Sequence, residues 1–400
     1  MKRSFPILIM LITFLLFTTG CWNRRELNEL AITLAMGLDI TRDGQYLVTA
    51  QVVNPGEVAA KGGGSHSPVV IYQATGKTVF EAVRKMTKES PRKIYPSHLR
   101  ILVIGESLAK KGIGKPLDVL SRDWELRSDF YVVVAKGMNA EDILRVPTAL
   151  EKIPANNMFN TLEVSEKAWS GTSAISFDKL IEDMVSEGKQ PVLTGIQADI
   201  KGGKKNSLSK QNVEIIDTPA RVKYGNLAVF KKDKLVGWLN ETESRAYNKI
   251  TNNVKSSIVN VSCPNGGTAA IQVIRAKADV KGKVESGKPK VDVNIRAEGN
   301  VGEVECHLDL TKPKSIEQLE KAYEKKVIQQ MGNAIQSVQE QKKVDIFGFG
   351  EAIYRAEPKA WEQLKKDWDN EFQDLSVDVK YDLQIRRVGT VGNSFLEKLK

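Results

Sequence analysis

Cysteine and histidine are scarce in this chain of 400 residues, with three of each. So few cysteines exclude a disulfide-built scaffold. So few histidines leave little for metal binding or acid–base chemistry. No Gly-x-Ser-x-Gly or His-Glu-x-x-His run occurs, and no nucleophile–base or paired-carboxylate arrangement stands out. His66 and His307 have no acidic or cysteine cluster at metal spacing around them, and His98, between Pro96-Ser97 and a buried strand, is expected to make a structural hydrogen bond. No catalytic residue, metal ligand or cofactor is expected, and the chain reads as not an enzyme.

Long apolar runs are also missing. The run Phe5–Phe17 is about 13 residues, broken only by Pro6 and Thr13. That is too short to cross a bilayer core of roughly 30 Å. Later runs such as Ile101–Ile104 and Tyr131–Ala135 have the length of strands. A polytopic membrane protein is therefore excluded. The 41% hydrophobic and 27% charged content excludes global disorder and collagen-like repeats. Such a length suits two or three domains.

What is present begins at the N-terminus. Met1-Lys2-Arg3 is basic, the apolar run follows, and Thr18-Thr19-Gly20 precede Cys21. A basic start, a short apolar stretch and small residues describe an export signal. The pattern resembles a bacterial lipobox, with cleavage between Gly20 and Cys21 and acylation of Cys21. Thr18 stands where Leu is usual. Two or three acyl chains, at about 0.8 kcal/mol per buried CH₂, hold a soluble body on a membrane. The lipid on Cys21 would be the only non-protein group. Losing Lys2 and Arg3 takes the basic count from 59 to 57 against 49 acids, so +10 becomes +8. The excess permits an anionic partner. Nucleic acid has only this charge in its favour, and export argues against it.

The expected architecture is α+β and multi-domain, with mixed sheets packed by helices. Residues 1–20 are the signal, 21–210 an N-terminal α/β region of one or two subdomains, and 211–400 a C-terminal α+β domain. Ala31–Ile40 and Tyr46–Val53 read as a hairpin around Asp43-Gly44. Gly62-Gly63-Gly64 sits in a loop over 57–68. Helices are expected at Thr78–Glu89, Leu117–Arg122, Ala140–Val146 and Phe177–Glu187, the last capped by Ser176. Strands alternate with them at Val69–Ala74, Leu99–Gly105, Phe130–Ala135 and Val192–Ile200. Residues 147–219 read as otherwise less regular. The C-terminal domain opens with a hairpin at Asn226–Leu239. It continues as an antiparallel sheet packed by one long amphipathic helix from Ser315 to about Lys343, with Ser315 and Gln318 as a capping box.

Other segments carry a sharper and a plainer reading. Ala74-Thr75-Gly76-Lys77-Thr78 matches the end of a phosphate-binding loop. Ile71 stands where its first glycine belongs, so a helix start is expected instead. Lys201–Lys210, with four lysines, reads as a solvated loop that could touch lipid headgroups. Cys263 and Cys306 both follow strands; a disulfide and two separate buried thiols stay equally open. Arg122, Trp124 and Arg127 lie in a segment of alternating charge. That segment is either a solvated helix end or part of a subunit interface, where Arg and Trp are enriched.

The run Cys21-Trp22-Asn23-Arg24-Arg25-Glu26-Leu27-Asn28-Glu29-Leu30 resembles the start of the Ger(x)C family, with Gly37-Leu38-Asp39 following. Asn23 stands where that family more often has Asp. His98 to Glu106, Arg122 to Arg127, Ala228-Val229-Phe230, Leu235 to Leu239, Phe347-Gly348-Phe349-Gly350-Glu351 and Trp361 resemble later segments, in order. These proteins are the lipoprotein C subunits of spore germinant receptors. The resemblance implies a nutrient receptor on the outer face of the spore's inner membrane. Its partners would be two integral subunits of the A and B type, and membrane lipid. The alternative of another class is a solute-binding lipoprotein that delivers a small molecule to a transporter. A third is a lipid-anchored cell-wall hydrolase, for which no catalytic set is visible.

Overall fold

The computed structural model describes residues 26–59, 66–201, 208–264 and 266–389. Gly20, Cys21 and the Gly62–Gly64 loop lie outside the described residues.

The first sheet has nine strands. β1 (Leu30–Ile40), β2 (Tyr46–Val53) and β3 (Val69–Gly76) pair antiparallel. The turn between β1 and β2 needs Gly44, whose φ is +84°. β4 (Lys93–Tyr95) and β5 (Ile101–Gly105) both run parallel to β1. β6 (Tyr131–Ala135) and β7 (Val192–Ile200) continue the parallel part. β8 (Ala220–Lys231) and β9 (Lys234–Trp238) close the sheet antiparallel, in the order β3-β2-β1-β5-β6-β7-β8-β9. The hairpin that sequence reading placed beyond residue 210 thus completes the sheet begun at residue 30.

β5 shows why these residues form this layer. All five are buried. Leu102 and Ile104 face one side and Ile101 and Val103 the other, as a period of two requires. The first side packs on α1 (Val79–Lys85), α2 (Glu106–Lys111) and α3 (Gly114–Ser121). The second packs on α4 (Ala140–Leu144) and α5 (Pro154–Ala168). α6 (Phe177–Val185) returns to the first side through Phe177 and Leu180. Ser176 precedes α6, but its side chain makes no capping bond. α5 falls in the stretch expected to be irregular; Pro154 begins it, where a missing N–H costs nothing.

α7 (Glu241–Ile250) leads into the second sheet. β10 (Ser257–Ser262), β11 (Thr268–Glu285) and β12 (Lys288–Val304) are antiparallel. α8 (Pro313–Ser337) buries Leu319, Tyr323, Val327 and Met331 against them. α9 (Phe349–Ala356), α10 (Pro358–Leu364) and α11 (Trp368–Gln373) follow. β13 (Ser376–Arg387) then joins β12 in parallel. The C-terminal sheet is mixed, not wholly antiparallel as the strand alternation suggested. The helices between β12 and β13 form a crossover, and a crossover returns the chain in the same direction. β13 is an edge strand. Glu324 and Glu320 on α8 accept its outward Leu383 and Ile385 amides, at 2.9 and 2.8 Å.

The expected capping box at Ser315 is absent. α8 starts at Pro313, and Ser315 is already buried inside the first turn. A complete box occurs on α7 instead. Asn240 Oδ1 accepts from the Glu243 amide at 2.9 Å, and Glu243 Oε2 accepts from the Asn240 amide at 2.8 Å. Cys263 after β10 and Cys306 after β12 are joined by a disulfide, with Cα atoms 6.4 Å apart.

Candidate functional site

The N-terminal region carries an apolar cleft of about 410 Å³ between α1, β4 and the loop after α3. Thr78 starts α1, its hydroxyl accepting from the Glu81 amide at 3.1 Å. Val79 and Ala82 then face the sheet, which leaves Phe80 on the outside at 55% exposure. α3 ends at Ser121, and the chain folds back over residues 122–127. Lys93 of β4 holds this loop by reaching both oxygens of Glu125, at 2.9 and 2.7 Å. Ser97 donates to the Glu125 carbonyl, and the Glu125 amide donates to Asp123 at 2.9 Å. Trp124 stands between these fixed neighbours and remains 74% exposed. Buried Met36, Val79, Ile94 and Leu120 line the interior. The Arg84 guanidinium lies 4.9 Å from the Phe80 ring centre. Two large exposed aromatics thus stand beside an apolar hollow.

Of the three residues singled out by charge and aromaticity, the fold brings two together. Arg122 and Trp124 both line this cleft. Arg122 is forked onto Asp118 at 2.9 and 3.0 Å, and it holds that carboxyl below its ordinary range. Arg127 pairs with Asp129 at 2.8 Å and faces a separate hollow with His98 and Phe159. Phe80, Arg84, Lys93 and Glu125 were not picked out. Phe80 had one signal in the sequence: it is an aromatic beside the apolar stripe of its helix rather than on it.

His98 is exposed, with its ring edge-on to Tyr95. His66 lies 3.0 Å from Glu57. Among the described residues, no group of three or more His, Cys, Asp or Glu side chains could hold a metal. No helix among them is long and apolar enough to cross a membrane.

Phe347-Gly348-Phe349-Gly350-Glu351 has a structural task. Buried Asp345 accepts from the amides of Phe347, Gly348 and Gly350 at 3.0, 2.9 and 2.8 Å, and from Trp368 Nε1 at 3.1 Å. Burial raises its pKa to about 6 against the pull of these donors. The N-terminal region docks on the same turn. Gln190 donates to the Asp345 carbonyl at 2.7 Å, and Ser186 donates to Glu351 at 2.8 Å. A hollow of about 620 Å³ lies at this seam, where Lys365 pairs with Glu187 and Glu362 at 3.2 and 3.1 Å.

Residues 23–198 match the family described as spore germination protein N-terminal domain. Residues 225–389 match spore germination B3/GerAC like, C-terminal. Spore germination protein KC of Bacillus subtilis (strain 168) is 31% identical over 408 residues, covering all of both chains. Spore germination protein B3 of the same organism is 24% identical, over 94% of this chain and 96% of its own. The crystal structure of the GerBC protein superposes with a TM-score of 0.53 at 19% identity, over 88% of this chain and 98% of that one. The fold is shared with that structure, and on its full-length likeness to the germination proteins the chain belongs to the Ger(x)C family of spore germination proteins.

Proposed function

We propose that this chain is the lipoprotein C subunit of a spore nutrient germinant receptor. It acts by assembly with two integral subunits of the A and B type and carries out no catalysis. The observation that carries the reading is the join between sequence and fold. The lipobox resemblance ends at Cys21, and β1 begins nine residues later, at Leu30. Nine extended residues reach at most roughly 30 Å. The cleft lies beside the entry of β1, because Leu30 pairs in register with Lys93 of its wall. A lipid on Cys21 would hold Trp124 and Phe80 near the membrane surface, where integral partners could meet them. Nutrient binding to the complex would then bias a two-state assembly.

Purification of the full lipidated chain from spore membranes tests this. The expected result is a stable complex with two polytopic proteins, and acylated Cys21 as the first residue in the mass spectrum. Recovery as a monomer with an unmodified Cys21 would overturn it.

A further inference from the structure

A second crevice, of about 570 Å³, opens beside α1 and α3 on the side away from β4. It lies at the end of the sheet where β1 and β3 finish. Lys77, Lys111, Lys115 and Lys234 line it. Lys77 belongs to the Gly76-Lys77-Thr78 run between β3 and α1. The four come from separate places: the end of β3, α2, α3 and the start of β9.

The convergence is built by backbone contacts. Asp233 sits in the β8–β9 turn, and its carbonyl accepts from the Ile113 amide at 2.9 Å. Its carboxylate accepts from the Gly114 amide at 3.2 Å. The turn is thereby latched to the α2–α3 junction. Gly112 at that junction has φ +130°, and a Cβ there would meet the Asp233 carboxylate at 2.7 Å. Latching brings Lys234 beside Lys111 and turns Asp233 toward backbone. Glu81, the next acid, is taken by Lys85 at 2.8 Å and by the Lys77 amide at 2.8 Å. Among the described residues no carboxylate lies within 4 Å of the four ammonium groups, whereas most lysines of the neighbouring helices and strands are paired. Four cations against one committed acid leave a crevice that concentrates anions.

We propose that this crevice binds a phosphate-bearing anion. Ammonium groups suit such a ligand because they act as point charges with rotatable donors. The inference does not rest on the receptor reading.

The test is calorimetric titration of the full lipidated chain in neutral detergent at low salt, with inorganic pyrophosphate as the probe. A second titration uses soluble dihexanoyl-phosphatidylglycerol. Saturable binding of either probe is expected, weakened at least tenfold in K111A/K115A. It should be unchanged in K321A/K325A, which removes the same charge from α8. Pyrophosphate alone assigns the anion to a free metabolite, and phosphatidylglycerol alone assigns it to a lipid headgroup. If K111A/K115A does not fold, K77Q and K234Q replace it. Failure to bind either probe, or equal losses from both double variants, overturns the proposal.

Discussion

Gly188 and Gly350 meet backbone to backbone across the seam between the N-terminal and C-terminal regions. A Cβ on Gly188 would lie 2.5 Å from the Glu351 amide and 2.6 Å from the Gly350 carbonyl carbon. A Cβ on Gly350 would lie 2.7 Å from both Gly188 Cα and the Trp361 ring. Neither backbone can retreat, because the Gly350 amide is bonded to Asp345 and the Glu351 amide to the Gly188 carbonyl. Gly350→Ala is expected to cost about 1–3 kcal/mol by overpacking. The pair Gly188→Ala and Gly350→Ala is expected to be non-additive, since both open the same seam. Urea midpoints of the singles and the double decide it; strict additivity would place the two strains in independent sites.

Lys249 on α7 is 5% exposed. Burial, with a smaller push from the Arg245 charge, lowers its pKa to about 7. The unfolded chain therefore binds more protons than the folded one between about pH 7 and the ordinary lysine value. Stability rises with pH across that window and is lowest below it, where the folded state must hold the charge. Lys249→Met is expected to stabilise by about 2–4 kcal/mol at pH 6 and to flatten the rise toward pH 9.5. Chemical denaturation at several pH values measures both effects, and an unchanged slope in the variant would assign the rise to another group.

The Cys263–Cys306 disulfide closes a loop of sequence separation 43 that contains all of β11 and β12. Changing both residues to Ala is expected to cost about 2–4 kcal/mol. Reduction of the wild-type protein should lower its thermal midpoint by the same amount as the double variant. A midpoint insensitive to reductant would sink the prediction.

Phe80→Ala with Trp124→Ala removes two exposed rings from the cleft. Stability should change by less than about 1 kcal/mol, because neither ring is in a core. Recovery of partner subunits in the membrane purification should fall at least tenfold, as truncating a central aromatic anchor does. Undiminished recovery would move the contact surface elsewhere on the molecule.

The parts of the fold written in simple periodicity were legible. β5 is a continuous apolar run, β11 and β12 alternate, and the α8 stripe steps by three and four. α5 and α7 were not. α5 buries Ala155, Met158 and Leu162, too thin a stripe to stand out among Asn and Thr. α7 buries Ser244, Asn248 and Lys249, polar residues that no pattern reading sends inward. Asn248 is kept there by donating to the carbonyls of Ser170 and Thr172 at 2.9 Å each. The cleft divides the same way. Trp124 and Arg122 announced themselves by residue type. The Lys93–Glu125 pair that fixes their loop joins positions 32 residues apart, and only the folded chain brings them together.

The place of β8 and β9 bears on how members of such a family could exchange parts. The two matched segments leave a gap between residues 198 and 225. Its flanks, β7 and β8, are hydrogen-bonded neighbours from Val192↔Val229 to Ile200↔Ala220. A hybrid spliced inside that gap would ask one parent's strand to pair with the other's and would mismatch the latch between Asp233 and Ile113. A hybrid spliced after Trp238 would carry the nine-stranded sheet over whole, and recombination is expected to tolerate that junction better.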